Sequence, residues 1–154
     1  MITAWRLVKP RHTAAAFDGE GAWLHGGRWN SPGIRVAYAS DSIALAALEV
    51  LAHLQSTKVL QAYSLVPVRF PEESVEILDA EMLPERWRRF PSPVEIQAIG
   101  DRWVAEQRSL ILRVPSAIIP AAANYLINPL YPECRKVVVG RQERFAFDPR
   151  LLKN

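Results

Sequence analysis

Apolar positions along the chain follow two periods, and the expected elements follow from them. A period of two, the signature of a strand, runs through "AWRLVK" near the start, "VAYAS" (Val36 to Ser40) and "KVLQAYSLVPVRF" (Lys58 to Phe70). Pro10 ends the first, and the third is expected to bend or stop near Pro67. "SLILRVPS" and "RKVVVGRQERFAF" add strands toward the end of the chain. The helical period appears in "DSIALAALEVLAHLQS", Asp41 to Ser56, with Asp41 as the expected N-cap. "SPVE", Ser92 to Glu95, has the form of a capping box with proline at the first helical position, opening a helix to about Arg108. Residues 11–35 read as a loop that holds five of the seven glycines, and a loop that long in a compact domain usually carries function. No repeat or composition break divides the chain, which reads as a single domain over residues 1–154. Strands that precede, separate and follow two firm helices predict an α+β fold with mainly antiparallel sheets.

The first of these helices is the most informative element. At 100° per residue Ser42, Ala46, Glu49 and His53 share one narrow stripe, while Ile43, Leu45, Leu48, Val50, Leu51 and Leu54 occupy much of the rest. Such a stripe fits a solvent-facing strip with a Glu–His pair four residues apart. It equally fits a carboxylate projecting into a cleft, with small neighbours leaving room for a ligand. Tyr38, on the "VAYAS" strand, is either a core aromatic or a flat face for a ring or cation.

Charge narrows the chemistry. The net charge is only +3, and 15 of the 19 basic residues are arginine, which suits bidentate recognition of carboxylate or phosphate. Arg86, Arg88 and Arg89 with Trp87 invite a nucleic-acid reading, but Glu81 and Glu85 flank them, and an exposed helix-like face is expected. The lone Cys134 has no disulfide partner and is expected to be a small buried hydrophobe in a reducing compartment. The first residues lack the apolar core of a signal peptide, and the longest apolar run is too short to span a bilayer, so the expected location is the cytoplasm.

Several chemistries find no support. His12, His25 and His53 lack ligand spacing, so no metal is expected. Neither a dinucleotide-binding fingerprint nor a phosphate-binding Walker loop is present. Ser116 follows Pro115 at a strand end without a nucleophile elbow, and reads as a hydrogen-bond donor or a turn residue.

Taken together, "DGEGAWLHGGRWNSPGIRVAYAS", "ALAALEVLAHL", "VPS" and "NYLINP" resemble the RES domain, whose members are the toxins of RES–Xre toxin–antitoxin pairs. The arginine, glutamate and serine that name the family match Arg28, Glu49 and Ser116. One departure is "NPLYP", where relatives often carry histidine in place of Tyr131. The resemblance implies a fold like that of the ADP-ribosyltransferases, NAD⁺ as a consumed substrate with no permanently bound cofactor, and an Xre-type helix-turn-helix antitoxin that covers the site. It assigns Arg28, Glu49 and Ser116 as candidate catalytic residues; the residues themselves add Tyr38, as a flat face for the pyridinium, and Gly26, Gly27, Trp29, Asn30 and Asn128 as candidate substrate-binding residues, with Asn128 read alternatively as the cap of a turn before Pro129. The expected activity is cleavage of the nicotinamide–ribose bond, by hydrolysis or phosphorolysis, that depletes NAD⁺ and arrests growth. Transfer of ADP-ribose to a protein ranks second, and a non-catalytic RNA-binding module is the remote third.

Overall fold

Eight strands form one sheet in the computed structural model, which describes residues 1–54 and 62–152. They are β1 (Ile2–Val8), β2 (Ala37–Ser40), β3 (Tyr63–Phe70), β4 (Val75–Ile77), β5 (Ile111–Pro115), β6 (Ala123–Ile127), β7 (Val138–Val139) and β8 (Glu143–Phe145). The order across the sheet is β4-β5-β6-β2-β1-β3, with β7 and β8 both paired to the far side of β3. Only β4 and β5 pair in parallel; the other pairs are antiparallel. Three helices, α1 (Glu20–His25), α2 (Ile43–His53) and α3 (Val94–Ala105), complete an α+β fold of the mainly antiparallel kind that the sequence leads one to expect.

Alternation along the strands separates the two faces of the sheet. One face carries Trp5, Leu7, Tyr38, Ser40, Leu65, Leu112, Val114, Asn124 and Leu126, as the cross-strand registers require. Both long helices pack there. Ala46 of α2 meets Leu7, Tyr63 and Leu65, while Ile96 and Trp103 of α3 meet Trp29, Leu112, Val114 and Leu126. Complete burial of each aliphatic chain there stabilises by about 1.5–3 kcal/mol. Between the two helices the central strands β2 and β6 are left as a floor, and that floor holds the polar residues. The opposite face, built on Ala4, Val68, Phe70, Ala37, Ala39, Tyr125 and Ile127, is closed by Phe17, Tyr131 and Val137.

Local departures from expectation have identifiable causes. Residues 11–35 are not one loop: a 3-10 helix spans Pro10–Ala15, and α1 follows. Ser42, not Asp41, caps α2, its Oγ accepting from Leu45 N at 3.0 Å. Asp41 is drawn off by the neighbouring strand, its Oδ2 accepting from Ala123 N at 2.9 Å. The capping box does not form, because Ser92 Oγ donates to Arg28 O at 2.6 Å and α3 starts beyond Pro93 without a side-chain cap. α3 ends at Ala105 rather than near Arg108. β3 runs straight through Pro67, whose carbonyl still accepts from Gly140 N at 2.8 Å. β4 and β6 carry no earlier assignment, and β6 lies at the centre of the sheet. Cys134 is exposed in a short 3-10 turn instead of buried. The expected end of the first helix at Ser56 and start of the third strand at Lys58 lie outside the described residues. Among the described residues no helix is long and apolar enough to cross a membrane, and no cluster of three or more His, Cys, Asp or Glu could hold a metal.

Candidate active site

Glu49 sits two turns into α2, where that helix passes beside the β2–β6 floor. The stripe that contains it is not one environment. Ser42 caps the helix, Ala46 is 3% exposed in the core, and His53 is exposed with its ring 6.5 Å from that of Phe90. No ion pair joins His53 to Glu49 among the described residues. Leu48, nominally on the apolar side, is 39% exposed. Glu49 faces protein donors instead. Its Oε1 accepts from Ser116 Oγ at 2.8 Å and from Asn124 Nδ2 at 2.7 Å. Its second oxygen has no protein partner among the described residues.

Ser116 is 0% exposed and acts both as a turn residue and as a donor. Its Oγ accepts from the backbone N–H groups of Ile118 and Ile119, each at 3.1 Å, the turn geometry that serine favours. The hydroxyl proton is thereby directed to Glu49. Asn124, at the start of β6, receives the Ser40 hydroxyl on its Oδ1 at 2.7 Å.

The glycine segment is shaped by two steric demands. Gly26 closes α1 with φ +73°, and a Cβ there would lie 3.0 Å from Pro32 Cδ. A Cβ on Gly27 would lie 2.7 Å from the Tyr38 hydroxyl, so no side chain fits. Gly27 N donates to Asn30 O at 2.9 Å, and Gly27 O accepts from Gln97 Nε2 at 3.0 Å. This tight turn presents Arg28. One of its terminal nitrogens donates to Trp87 O at 3.0 Å and to Arg89 O at 2.9 Å, while Nε and the other terminal nitrogen have no protein partner among the described residues. Burial pulls the Arg28 guanidinium below the ordinary arginine value; Glu49 and Tyr38 pull it back up, and Arg88 opposes them. Glu49 is thus the strongest counter-charge Arg28 feels, although no ion pair within 4 Å joins them.

Arg86, Trp87, Arg88 and Arg89, expected to form an exposed helix-like face, lie instead in turns, and residues 84–91 form a strap beside the site. Trp87 packs on Trp29 with ring centroids 6.1 Å apart. Arg88 Nε donates to Ala117 O at 2.7 Å, binding the strap to the turn that carries Ser116. The strap thus ties the Arg28 loop to the Ser116 turn, while Arg86 and Arg89 are exposed along it. A groove of about 500 Å³ lined by Arg86, Arg89, Phe90, Pro91, Pro93 and Glu95 borders it. A second cavity of about 500 Å³, near Phe17 and Val66, opens away from Glu49.

Three of the candidate substrate-binding side chains are engaged within the protein. Trp29 is 2% exposed inside the α3 cluster. Asn30 is fully buried, its Nδ2 lying 3.0–3.1 Å from the carbonyls of Ala22, Ser31 and Ile34; a buried amide spends its donors inside the loop. Asn128 accepts from Leu130 N at 3.0 Å and caps the turn after β6, four residues and roughly 13 Å of strand beyond Asn124. Tyr38 also serves the loop, its hydroxyl donating to Asn30 Oδ1 and accepting from Trp29 N at 3.2 Å. Desolvation raises its pKa, so the phenol stays protonated. Tyr38→Phe leaves the Trp29 N–H and the Asn30 carbonyl oxygen unpaired, a cost of about 1–3 kcal/mol. Thermal unfolding of that variant is expected several degrees below wild type; an unchanged midpoint would remove the hydroxyl from the loop's support.

Sequence reasoning brought Arg28, Glu49 and Ser116 to attention but not Asn124, Ser40 or the strap. Asn124 stands in "NYLINP", one of the segments that carry the resemblance, and that was its one available signal.

The RES domain family model matches residues 3–148. A protein named Toxin Res from Yersinia enterocolitica is 35% identical over 148 residues, covering 96% of this chain and 97% of that protein. A Sphingobium protein named Prs ADP-ribosylating toxin is 35% identical over 154 residues, covering 97% of this chain and 96% of its own length. Among solved structures, the M. tuberculosis MbcT–MbcA toxin–antitoxin complex contains a chain that matches with a TM-score of 0.79 at 19% identity, covering 94% of this chain and 84% of that one. With a family model that matches nearly the whole chain and relatives 35% identical over nearly their full lengths, the chain belongs to the RES domain family.

Proposed function

We propose that this protein is a toxin that cleaves the nicotinamide–ribose bond of NAD⁺. The observation that carries the reading is a single carboxylate, Glu49, held through one oxygen by Ser116 and Asn124, with no partner for its other oxygen among the described residues, in the electrostatic reach of a half-buried arginine. Nicotinamide in NAD⁺ is a cationic leaving group that departs neutral, so no general acid has to protonate it. The second carboxylate that most glycosidases need then has no task. What remains is to stabilise an oxocarbenium-like ribose and to hold the diphosphate. The unengaged oxygen of Glu49 accepts from ribose hydroxyls and favours the developing positive charge. The free edge of Arg28 clamps a phosphate, and the strap and Gln97 fix the loop that presents it.

Three acceptors of ADP-ribose are compatible with this chemistry: water, phosphate and a protein. Hydrolysis or phosphorolysis depletes NAD⁺, whereas transfer modifies a protein, and the name of the Sphingobium relative favours keeping transfer as the second reading. An Xre-type antitoxin is the proposed partner: the M. tuberculosis neighbour is described in complex with an antitoxin, and exposed Phe90, Leu48 and Ile119 here offer apolar surface that such a partner could cover.

Purified protein incubated with NAD⁺ is expected to release nicotinamide. Free ADP-ribose then marks hydrolysis, ADP-ribose 1″-phosphate formed only with added phosphate marks phosphorolysis, and label on a protein band in lysate marks transfer. Absence of nicotinamide under all three conditions refutes the reading.

A further inference from the structure

We propose that Asn124 is a positioning residue that fixes which oxygen of Glu49 meets the substrate, with Ser40 fixing the amide of Asn124 in turn; the functional consequence rests on the reading above. Three distances define the relay: Ser40 Oγ to Asn124 Oδ1 at 2.7 Å, Asn124 Nδ2 to Glu49 Oε1 at 2.7 Å, and Ser116 Oγ to the same Oε1 at 2.8 Å. Ser40 and Asn124 are register partners on β2 and β6, so the sheet sets their spacing and orients both toward the cleft. An ionised carboxylate only accepts hydrogen bonds. The amide must therefore turn its NH₂ to Glu49, and the Ser40 hydroxyl, donating to the far oxygen, holds it that way round.

A purely structural role accounts for this arrangement poorly. Asparagine is disfavoured in strands, and Ser40 and Asn124 lie on a face that elsewhere packs Leu112, Val114 and Leu126. Two donors from two different segments converge on one oxygen of a side chain from a third. That geometry stops the carboxylate from rotating and leaves the second oxygen as the one available to the ribose. Freed of Asn124, the carboxylate keeps only Ser116 and samples orientations that present neither oxygen correctly.

Asn124→Asp tests this directly, since it keeps the shape and the Ser40 contact but sets a carboxylate against Glu49. Two carboxylates that close cannot both ionise easily, so the pair takes up a shared proton at a pH above the usual carboxylate range. That proton restores a donor between them. Nicotinamide release by Asn124→Asp should therefore be low near pH 8, and its ratio to wild type should rise on acidification to about pH 5. Asn124→Ala should lose kcat roughly 10–100-fold, the scale of losing a group that orients a functional ligand, with KM little changed and no recovery in acid. Far-UV circular dichroism reports whether each variant is folded. Wild-type kcat in both variants, or an Asn124→Asp deficit that acid does not relieve, overturns the proposal. Melting temperatures give a readout independent of activity: acidification should raise that of Asn124→Asp relative to wild type, and equal pH responses count against the contact. If wild-type protein releases no nicotinamide, the reading of function falls, and the melting comparison still decides whether Asn124 holds Glu49.

Discussion

Glu49→Gln is expected to lower nicotinamide release by roughly 10²–10³-fold, the loss typical when one preorganised electrostatic partner of a developing charge is removed. The glutamine oxygen can still accept from Ser116 and Asn124, so the relay and the fold are kept while the negative charge is lost. Melting temperature should accordingly stay close to wild type, which separates a chemical defect from a folding defect. The deficit should fall more on kcat than on KM, because the charge stabilises the oxocarbenium more than it stabilises the bound dinucleotide. Arg28→Ala gives the complementary pattern. Its terminal nitrogen leaves the Trp87 and Arg89 carbonyls unmatched, and a diphosphate loses its clamp, so KM should rise as well as kcat fall. A Glu49→Gln protein that turns over NAD⁺ at the wild-type rate would place the chemistry elsewhere.

The site was legible in sequence where side chains carried the chemistry and opaque where backbone or tertiary contacts did. A glutamate within "IALAALEVLAHL" conflicts with its surroundings, and that conflict is visible without coordinates. The arginine after paired glycines is equally visible, although the steric demand on Gly27 comes from the Tyr38 hydroxyl on a separate strand, a tertiary contact that the sequence does not display. By contrast Arg28 is held by the carbonyls of Trp87 and Arg89, and carbonyls belong to every residue alike. Asp41 and Ser42 are both competent helix caps; the choice is made by Ala123 N, a strand edge 82 residues away in sequence. Ser92 loses its capping task in the same manner to Arg28 O. Strand β6 escaped notice because a short central strand, buried on both faces, lacks the apolar–polar alternation of a half-exposed one. Its opening asparagine also counts against a strand, and that residue turns out to face Glu49. Trp29 and Asn30 looked available because they stand in a loop, yet a loop that must present Arg28 rigidly needs its neighbours inside.

That rigidity also sets the largest expected loss of stability. In the middle of a helix alanine is normally better than glycine by about 1 kcal/mol, so Gly100→Ala in α3 would be expected to stabilise on propensity alone. Here the sign reverses. A Cβ on Gly100 would stand 1.8 Å from Trp29 O and 2.9 Å from Trp29 C, and backbone cannot yield as the end of a flexible side chain can. Relief requires α3 to move away from the loop, which opens the contacts of Trp29 with Ile96, Trp103, Leu112 and Leu126. Overpacking of this kind costs about 1–3 kcal/mol or more, and a clash with buried main chain belongs at or above the top of that range. At roughly 2–4 °C per kcal/mol for a chain of this size, the midpoint of unfolding should fall by about 6 °C or more, and the variant is expected to accumulate poorly in cells. The same displacement moves the turn from Gly27 to Asn30, so NAD⁺ turnover measured well below the midpoint should be impaired in the fraction that folds. Gly100→Ala that unfolds at or above the wild-type temperature would mean that the loop and α3 are not in this contact, and the rigid presentation of Arg28 would then need another source.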